Sequence, residues 1–208
     1  PRVVIYDPRL TLSLPLDLTV TSAINAMAHA AEGLYAHDGN PVISLMAEEG
    51  IRACAASLQP LRDNPRDLPA RSQALYGAWL CGTVLGAVSM GLHHKLCHTL
   101  GGTFDLPHAQ VHTVVLPHAL AYNASAAPEA MARIARALGT AEAAMGFFEL
   151  ARTHGAAVSL KAIGMPAAGL EHAADLAVSN QYPNPRPLEK AALRALLGRA
   201  WEGAPPQA

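Results

Sequence analysis

The chain has 208 residues, enough for one domain or two small ones with a sizeable buried core. Apolar residues make up 51% of it, charged ones 15% and aromatics 5%, a balance that suits buried helices meeting through small side chains. A net charge of −1 without any basic run excludes nucleic acid and anionic membranes as electrostatic partners. The three cysteines, Cys54, Cys81 and Cys97, are odd in number and form no C-x-x-C, so they read as reduced thiols of a cytoplasmic protein.

The chain opens on Pro1 rather than Met, and the expectation is that no signal peptide precedes it. Arg2–Tyr6 (RVVIY) reads as a short β-strand for which nothing downstream offers a partner. A lone strand is not stable, so the expectation is the second half of a longer protein whose sheet lies upstream. Asp7-Pro8 turns the backbone, and Leu10–Leu18 reads as an extended segment. Thr21 or Ser22 then caps a helix over Ala23–Ala36. On that helix Asn25 and His29 are four apart, one turn above each other on one face. Asp38-Gly39-Asn40-Pro41 breaks it, and Val42–Leu58 forms an amphipathic helix ending before Pro60.

From Ser72 to His94 there is no Asp, Glu, Lys or Arg. A run of that length raises a transmembrane span. Gly77, Gly82, Gly86 and Gly91, with Gln73, Thr83 and Ser89, make it only mildly apolar, and no Lys/Arg asymmetry frames it. The expectation is one buried central helix over Ser72–His98, with Gly82 and Gly86 letting a neighbour approach closely.

Gly91–His118 holds six of the ten histidines. His94 and His98 repeat the four-residue spacing of Asn25 and His29. Gly101-Gly102 is expected to end their helix, and Asp105 and Pro107 to open the next, which runs to about Tyr122 with Pro117 as a kink. His108 would then stand at a helix N-terminus. A lone histidine on an apolar helix is most often a core residue; a spaced pair plus a third ring after a glycine break points instead to a shared cavity. His93, His112 and His118 lack the spacing and read as structural or supporting. Cys97 points off the His94/His98 face by about 100° per residue and reads as packing. Beyond Asn123 come short helices near Pro128–Leu138, Ala141–Thr153, Ala157–Ile163, Ala167–Ser179 and Leu188–Trp201. A proline-rigid loop, Asn180–Pro187 (NQYPNPRP), precedes the last. The fold class is therefore all-α, a helical bundle with one leftover strand. By spacing alone, Asn25, His29, His94, His98 and His108 suggest a metal or acid–base site, since zinc and ferrous iron accept imidazole and oxygen donors.

H-K-L-C-H, followed ten residues after its second histidine by L-P-H, resembles the signature of the iron-containing alcohol dehydrogenase family. YDPRLTLSLP, SAINAMAHAAEGLYA, LYGAWL, HHKLCHTLGGTFDLPHA, VLPHALAYN and NPRP are similar to maleylacetate reductases within it. The resemblance is dense over Tyr6–Asn123. It implies an all-helical domain spanning residues 1–208, joined to an N-terminal nucleotide-binding domain outside this chain, in a homodimeric cytoplasmic enzyme. The implied reaction is NADH- or NADPH-dependent reduction of the maleylacetate carbon–carbon double bond to 3-oxoadipate, in the degradation of aromatic compounds. The family's metal-binding carboxylate falls on Asn25, its metal histidines on His29, His94 and His108, and its catalytic histidine on His98. An amide is a weaker cation ligand than a carboxylate, so the expectation is function without a firmly bound iron or zinc. His98 and His108 then become the candidates for stabilising the enolate and delivering a proton. Lys95 and Arg186 are the candidate anchors for the small dicarboxylate substrate. The rival readings are a metal-dependent alcohol or polyol dehydrogenase of the same superfamily and a non-catalytic helical metal-binding module.

Overall fold

The first helices begin where a side chain or a proline relieves unpaired backbone N–H groups. The computed structural model describes residues 2–179 and 182–208. α1 (Leu16–Gly33) starts behind Pro15, ahead of the expected cap at Thr21. The hydroxyls of Thr19 and Thr21 bond back to the carbonyls of Pro15 and Asp17, which places both threonines inside the helix. The expected extended segment Leu10–Leu18 starts in a 3₁₀ turn, Pro8–Thr11, capped by Asp7, passes through a further turn and ends inside α1. α2 (Pro41–Asp63) is capped by the Asn40 side chain, which accepts from Val42 and Ile43 N–H, and it runs through Pro60 to Asn64. α3 (Leu68–Ala87) is capped by Asp67.

The single helix expected over Ser72–His98 does not form. α4 (Leu92–Phe104) leaves α3 at 95°. The cause is not local to the run. Asp38 accepts hydrogen bonds from the Ser89 N–H and hydroxyl, and Glu32 from the N–H groups of Gly91, His93 and His94. Glu32, in the last turn of α1, thus satisfies the first donors of α4, where helix ends need partners, and Asp38, in the loop after α1, holds the corner just before it. Nor is α3 buried all round: Tyr76, Trp79 and Leu85 are exposed. A Cβ built at Gly82 or Gly86 would meet nothing within 4 Å, so these are not the close-approach glycines. Gly50 and Gly77 are, because there a Cβ would fall 2.8 Å from the Cys81 Sγ and 2.5 Å from the Cys54 Sγ, where α2 and α3 cross. Among the described residues no single helix is long and apolar enough to cross a membrane.

α4 continues through Gly101-Gly102 and stops at Asp105, whose φ of 52° makes it the left-handed C-cap in place of glycine. α5 (His108–Asn123) follows Pro107 and is buried throughout from Val111 onward, Pro117 included. α6 (Pro128–Leu138), α7 (Ala143–Thr153), α8 (Gly169–Ser179) and α9 (Lys190–Glu202) complete the domain. Ala157–Ile163 is not a helix. Leu160 and Lys161 donate to the carbonyls of Ala200 and Trp201 instead, satisfying the acceptors left over at the end of α9. Arg2–Tyr6 is extended and exposed but forms no strand, since nothing in the described residues supplies a ladder partner. Of the expected Asn180–Pro187 loop, Asn180 and Gln181 lie outside the described residues. The rest is pinned to the end of α5: the Tyr122 hydroxyl donates to the Pro187 carbonyl at 2.5 Å, and the side-chain amides of Asn123 and Asn184 bond to each other.

Two apolar cores result. One gathers α1, α2, α3, α6 and α7; the other gathers α4, α8, α9 and most of the inner face of α5, whose Leu116 and Leu120 reach back into the first. Each fully buried leucine, isoleucine or phenylalanine contributes roughly 1.5–3 kcal/mol. The seam between the two cores is where the histidines meet.

Candidate active site

α1 presents Asn25, His29 and Glu32, spaced four and three apart and so on one face of the helix. Across the seam, the first turns of α4 present His93, His94 and His98, and the start of α5 presents His108 and His112. The rings form a contiguous group. Ring centroids lie 4.7 Å apart for His29 and His94, 5.0 Å for His94 and His112, 4.4 Å for His112 and His108, and 6.4 Å for His94 and His98. His93 backs the group at 4.8 Å from His112, with its Nε2 3.0 Å from the His112 carbonyl and 3.4 Å from the Cys97 sulfur.

At the base of the group sits a fully buried carboxylate. Glu32 accepts from three backbone N–H groups of the α4 start, from the Tyr35 hydroxyl at 3.2 Å and from His94 Nδ1 at 2.7 Å. Among the described residues it is the one carboxylate that touches the cluster. With its proton on Nδ1 facing Glu32, the His94 ring turns an Nε2 lone pair the other way, and that atom has no protein partner. The Asn25 Oδ1 is likewise buried without one.

Burial favours the neutral form of His29, His93, His98 and His112. It holds His29 down at about 4, and the neighbouring His94 and His108 push the same way. It takes His112 to about 2, again with help from the surrounding imidazoles. His98 is lowered for the same reasons, burial first and His94 second, and His93 lies well below the ordinary histidine range. Neutral imidazoles can ligate a cation through a lone pair or donate a hydrogen bond through N–H.

Of the residues expected from spacing and resemblance, His29, His94, His98 and His108 come together, with His98 and His108 on the open side. Asn25 sits one turn before His29 on the same face. Lys95 is exposed, its Nζ 5.8 Å from the centre of the Tyr182 ring. Arg186 is not part of the group. Its guanidinium stacks 4.3 Å from the centre of the Tyr122 ring and donates to the Tyr122 carbonyl. The helical rise along α5 separates Tyr122 from His108 by about 21 Å. Glu32 and His112 were not singled out as site residues. The 25–29–32 spacing was a readable signal for Glu32, and the four-residue step from His108 to His112 within α5 was one for His112.

The described helices thus gather imidazoles around a buried carboxylate, with exposed His98 and His108 on the open side. The chain belongs to the Fe-containing alcohol dehydrogenase family, whose C-terminal region matches residues 19–201. It is 69% identical to the maleylacetate reductase of Burkholderia cepacia over 206 residues, covering 99% of this chain and 58% of that protein. It is 60% identical to the maleylacetate reductase of Pseudomonas knackmussii, over 100% of this chain and 59% of that one. The crystal structure of maleylacetate reductase from Agrobacterium tumefaciens superposes with a TM-score of 0.97 at 57% identity, over 99% of this chain and 59% of the other. The chain thus spans a little under three-fifths of the length of the relatives it matches.

Proposed function

We propose that the protein to which this helical domain belongs reduces the carbon–carbon double bond of maleylacetate to give 3-oxoadipate, with NADH or NADPH as hydride donor. The observation that carries this is identity of 60–69% with maleylacetate reductases along essentially the whole chain. In this reading the coenzyme is held mainly by an upstream nucleotide-binding domain, the enzyme is a cytoplasmic homodimer, and the cluster faces the coenzyme across the cleft.

Hydride adds to the alkene carbon β to the ketone, and the electron pair of the double bond moves onto the ketone oxygen as an enolate. That oxygen needs donors placed in advance. His98 and His108, on the open side of the cluster, are the groups we assign to that role, and one of them relays a proton from solvent, taken on at one ring nitrogen as the other gives its own, to the α-carbon. His29, His94 and His112 lie behind them and exclude water. Lys95, one residue past His94 at the cleft rim, is the proposed anchor for a substrate carboxylate. Arg186 was a second candidate anchor; its stacking on Tyr122 supports a role in holding the 182–188 loop instead.

Imidazoles and an amide oxygen are donors that a divalent ion accepts. Among the described residues the rings whose ligating nitrogens lie within 4.8 Å of one another are His93, His94 and His112; His29, His94 and His108 with the Asn25 Oδ1 are the set the resemblance implies for iron or zinc, and the partnerless His94 Nε2 and Asn25 Oδ1 support it. Such an ion would supply Lewis-acid polarisation of a carbonyl. With an amide where a carboxylate would add charge, the set is uncharged, and we propose that turnover does not depend on the ion.

The test is coenzyme oxidation by the full-length enzyme with maleylacetate, before and after dialysis against a chelator. Activity that survives dialysis supports the reading. Failure to reduce maleylacetate, with oxidation of simple alcohols in its place, would replace it with the alcohol dehydrogenase reading.

A further inference from the structure

Glu32 has no part in the reaction just described, yet no side chain in the domain is more fully engaged. It is completely buried, and its two oxygens accept from Gly91 N–H at 2.9 Å, His93 N–H at 2.8 Å, His94 N–H at 3.3 Å, the Tyr35 hydroxyl at 3.2 Å and His94 Nδ1 at 2.7 Å. Three of those bonds anchor the start of α4. The last does something different, because it fixes which ring nitrogen of His94 carries the proton and which way the ring faces. From these contacts we infer that Glu32 is a positioning residue for the active site: it holds His94 as the Nδ1–H tautomer, with the Nε2 lone pair turned into the cleft. This inference rests on the reading of the cleft as a hydride-transfer site.

The physical argument has two parts. An imidazole whose ring atoms met only other imidazoles could flip or exchange tautomers, since each neighbour can both donate and accept. A carboxylate is an acceptor only, so the nitrogen facing it must be the protonated one. At 2.7 Å this bond is in the range of strong hydrogen bonds to a charged acceptor. The backbone bonds prevent the carboxylate from following the ring if it turns, because Glu32 is tied to three fixed amides at the same time. His94 is therefore held from the ring side and from the helix side by one group. Glu32 lies on the same α1 face as His29, so the cluster is also keyed to α1. Removing the charge should let the His94 ring relax without emptying the cleft.

Substitution of the outer partner of a site histidine commonly costs about 10–100-fold. For Glu32→Gln in the full-length enzyme we expect kcat for maleylacetate to fall by that order with little change in the KM for NADH. Glu32→Asp should recover part of it, since it keeps an acceptor-only group. Nitrogen NMR of the enzyme labelled at histidine should show His94 as the Nδ1–H tautomer, and a shift towards the Nε2–H form in Glu32→Gln. Asp38→Ala serves as the structural control, because Asp38 clasps the same α3–α4 corner through Ser89 without reaching the ring. It should lower thermal stability while leaving the His94 tautomer as in the parent. The inference is overturned if Glu32→Gln leaves the tautomer unchanged, or if Asp38→Ala moves it equally. The NMR signal does not depend on the substrate, so an enzyme inactive on maleylacetate but with the expected tautomer shift would refute the proposed reaction and leave the positioning role standing.

Discussion

His98 and Lys95 stand one turn apart in role as well as in place. His98 is on the open side of the cluster, and burial with the nearby His94 keeps its imidazole neutral, so it can donate through N–H to an enolate oxygen. Loss of one such donor typically costs about 10²–10⁴-fold in rate. His98→Ala should lower kcat by that order with coenzyme binding retained, whereas Lys95→Ala should act mainly on the KM for maleylacetate. Steady-state kinetics on both variants will separate the roles, and a near-normal kcat in His98→Ala would move the proton donor to His108. Asn25→Asp restores an anionic oxygen to the donor set and should raise affinity for zinc or iron; metal retained after dialysis is the measurement. Away from the cluster, burial and the nearby Arg199 hold His118 down at about 4. The unfolded chain takes up that proton near pH 6.5. Between the two values the unfolded state binds more protons, so this contribution to stability is full above pH 6.5 and is lost as pH falls towards 4. The loss is on the order of 3 kcal/mol. Thermal melts over that range should slope for the parent and less steeply for His118→Leu, the remaining slope coming from His29 and His112; parallel curves would refute the assignment.

At the scale of elements, glycine spacing alone does not say which helix faces meet. Gly82 and Gly86 have the small-x-x-x-small pattern but look outward, while Gly50 and Gly77, on different helices and in no common motif, are where α2 and α3 touch. Gly77→Ala should therefore cost roughly 1–3 kcal/mol through overpacking against Cys54. Gly82→Ala should stabilise by up to about 1 kcal/mol through helix propensity. Urea denaturation of the pair tests this, and equal effects would mean the crossing is misplaced. The α3–α4 corner has the same lesson. The run from Ser72 to His94 contains no proline and no charge, so nothing local forbids a continuous helix. The break is stable because Asp38 and Glu32, distant in sequence, accept the N–H groups that a break exposes.

Across the whole molecule, the site belongs to neither core alone. His29 and Glu32 come from the α1 side, and His94, His98, His108 and His112 from the α4–α5 side. Their geometry thus depends on how the two packed halves meet. The proposed reaction also needs a coenzyme, for which this chain has no glycine-rich phosphate-binding turn. The 208-residue chain alone should therefore bind NADH at least an order of magnitude more weakly than the full-length enzyme, and calorimetric titration of both will show it. Equal affinity would place the coenzyme site in the helical domain.

The amino-acid sequence by itself determined whatever depends on neighbours within a turn or two. That covers the all-helical class, the facing of Asn25 with His29 and of His94 with His98, the capping of α2 by Asn40, and the extent of α6. These are consequences of helical period and of side chains bonding to the adjacent backbone, so a short window contains their causes. Only the tertiary structure decided that α3 and α4 part at a corner, that Asp105 rather than Gly101-Gly102 ends α4, and that Ser159–Lys161 serve α9 instead of forming a helix. It alone closed Glu32 onto the start of α4 and set Arg186 against Tyr122. Each of these turns on a hydrogen-bond acceptor, a ring or a packing surface delivered from another part of the chain. A buried donor takes whichever acceptor the fold places beside it, whatever its distance along the sequence.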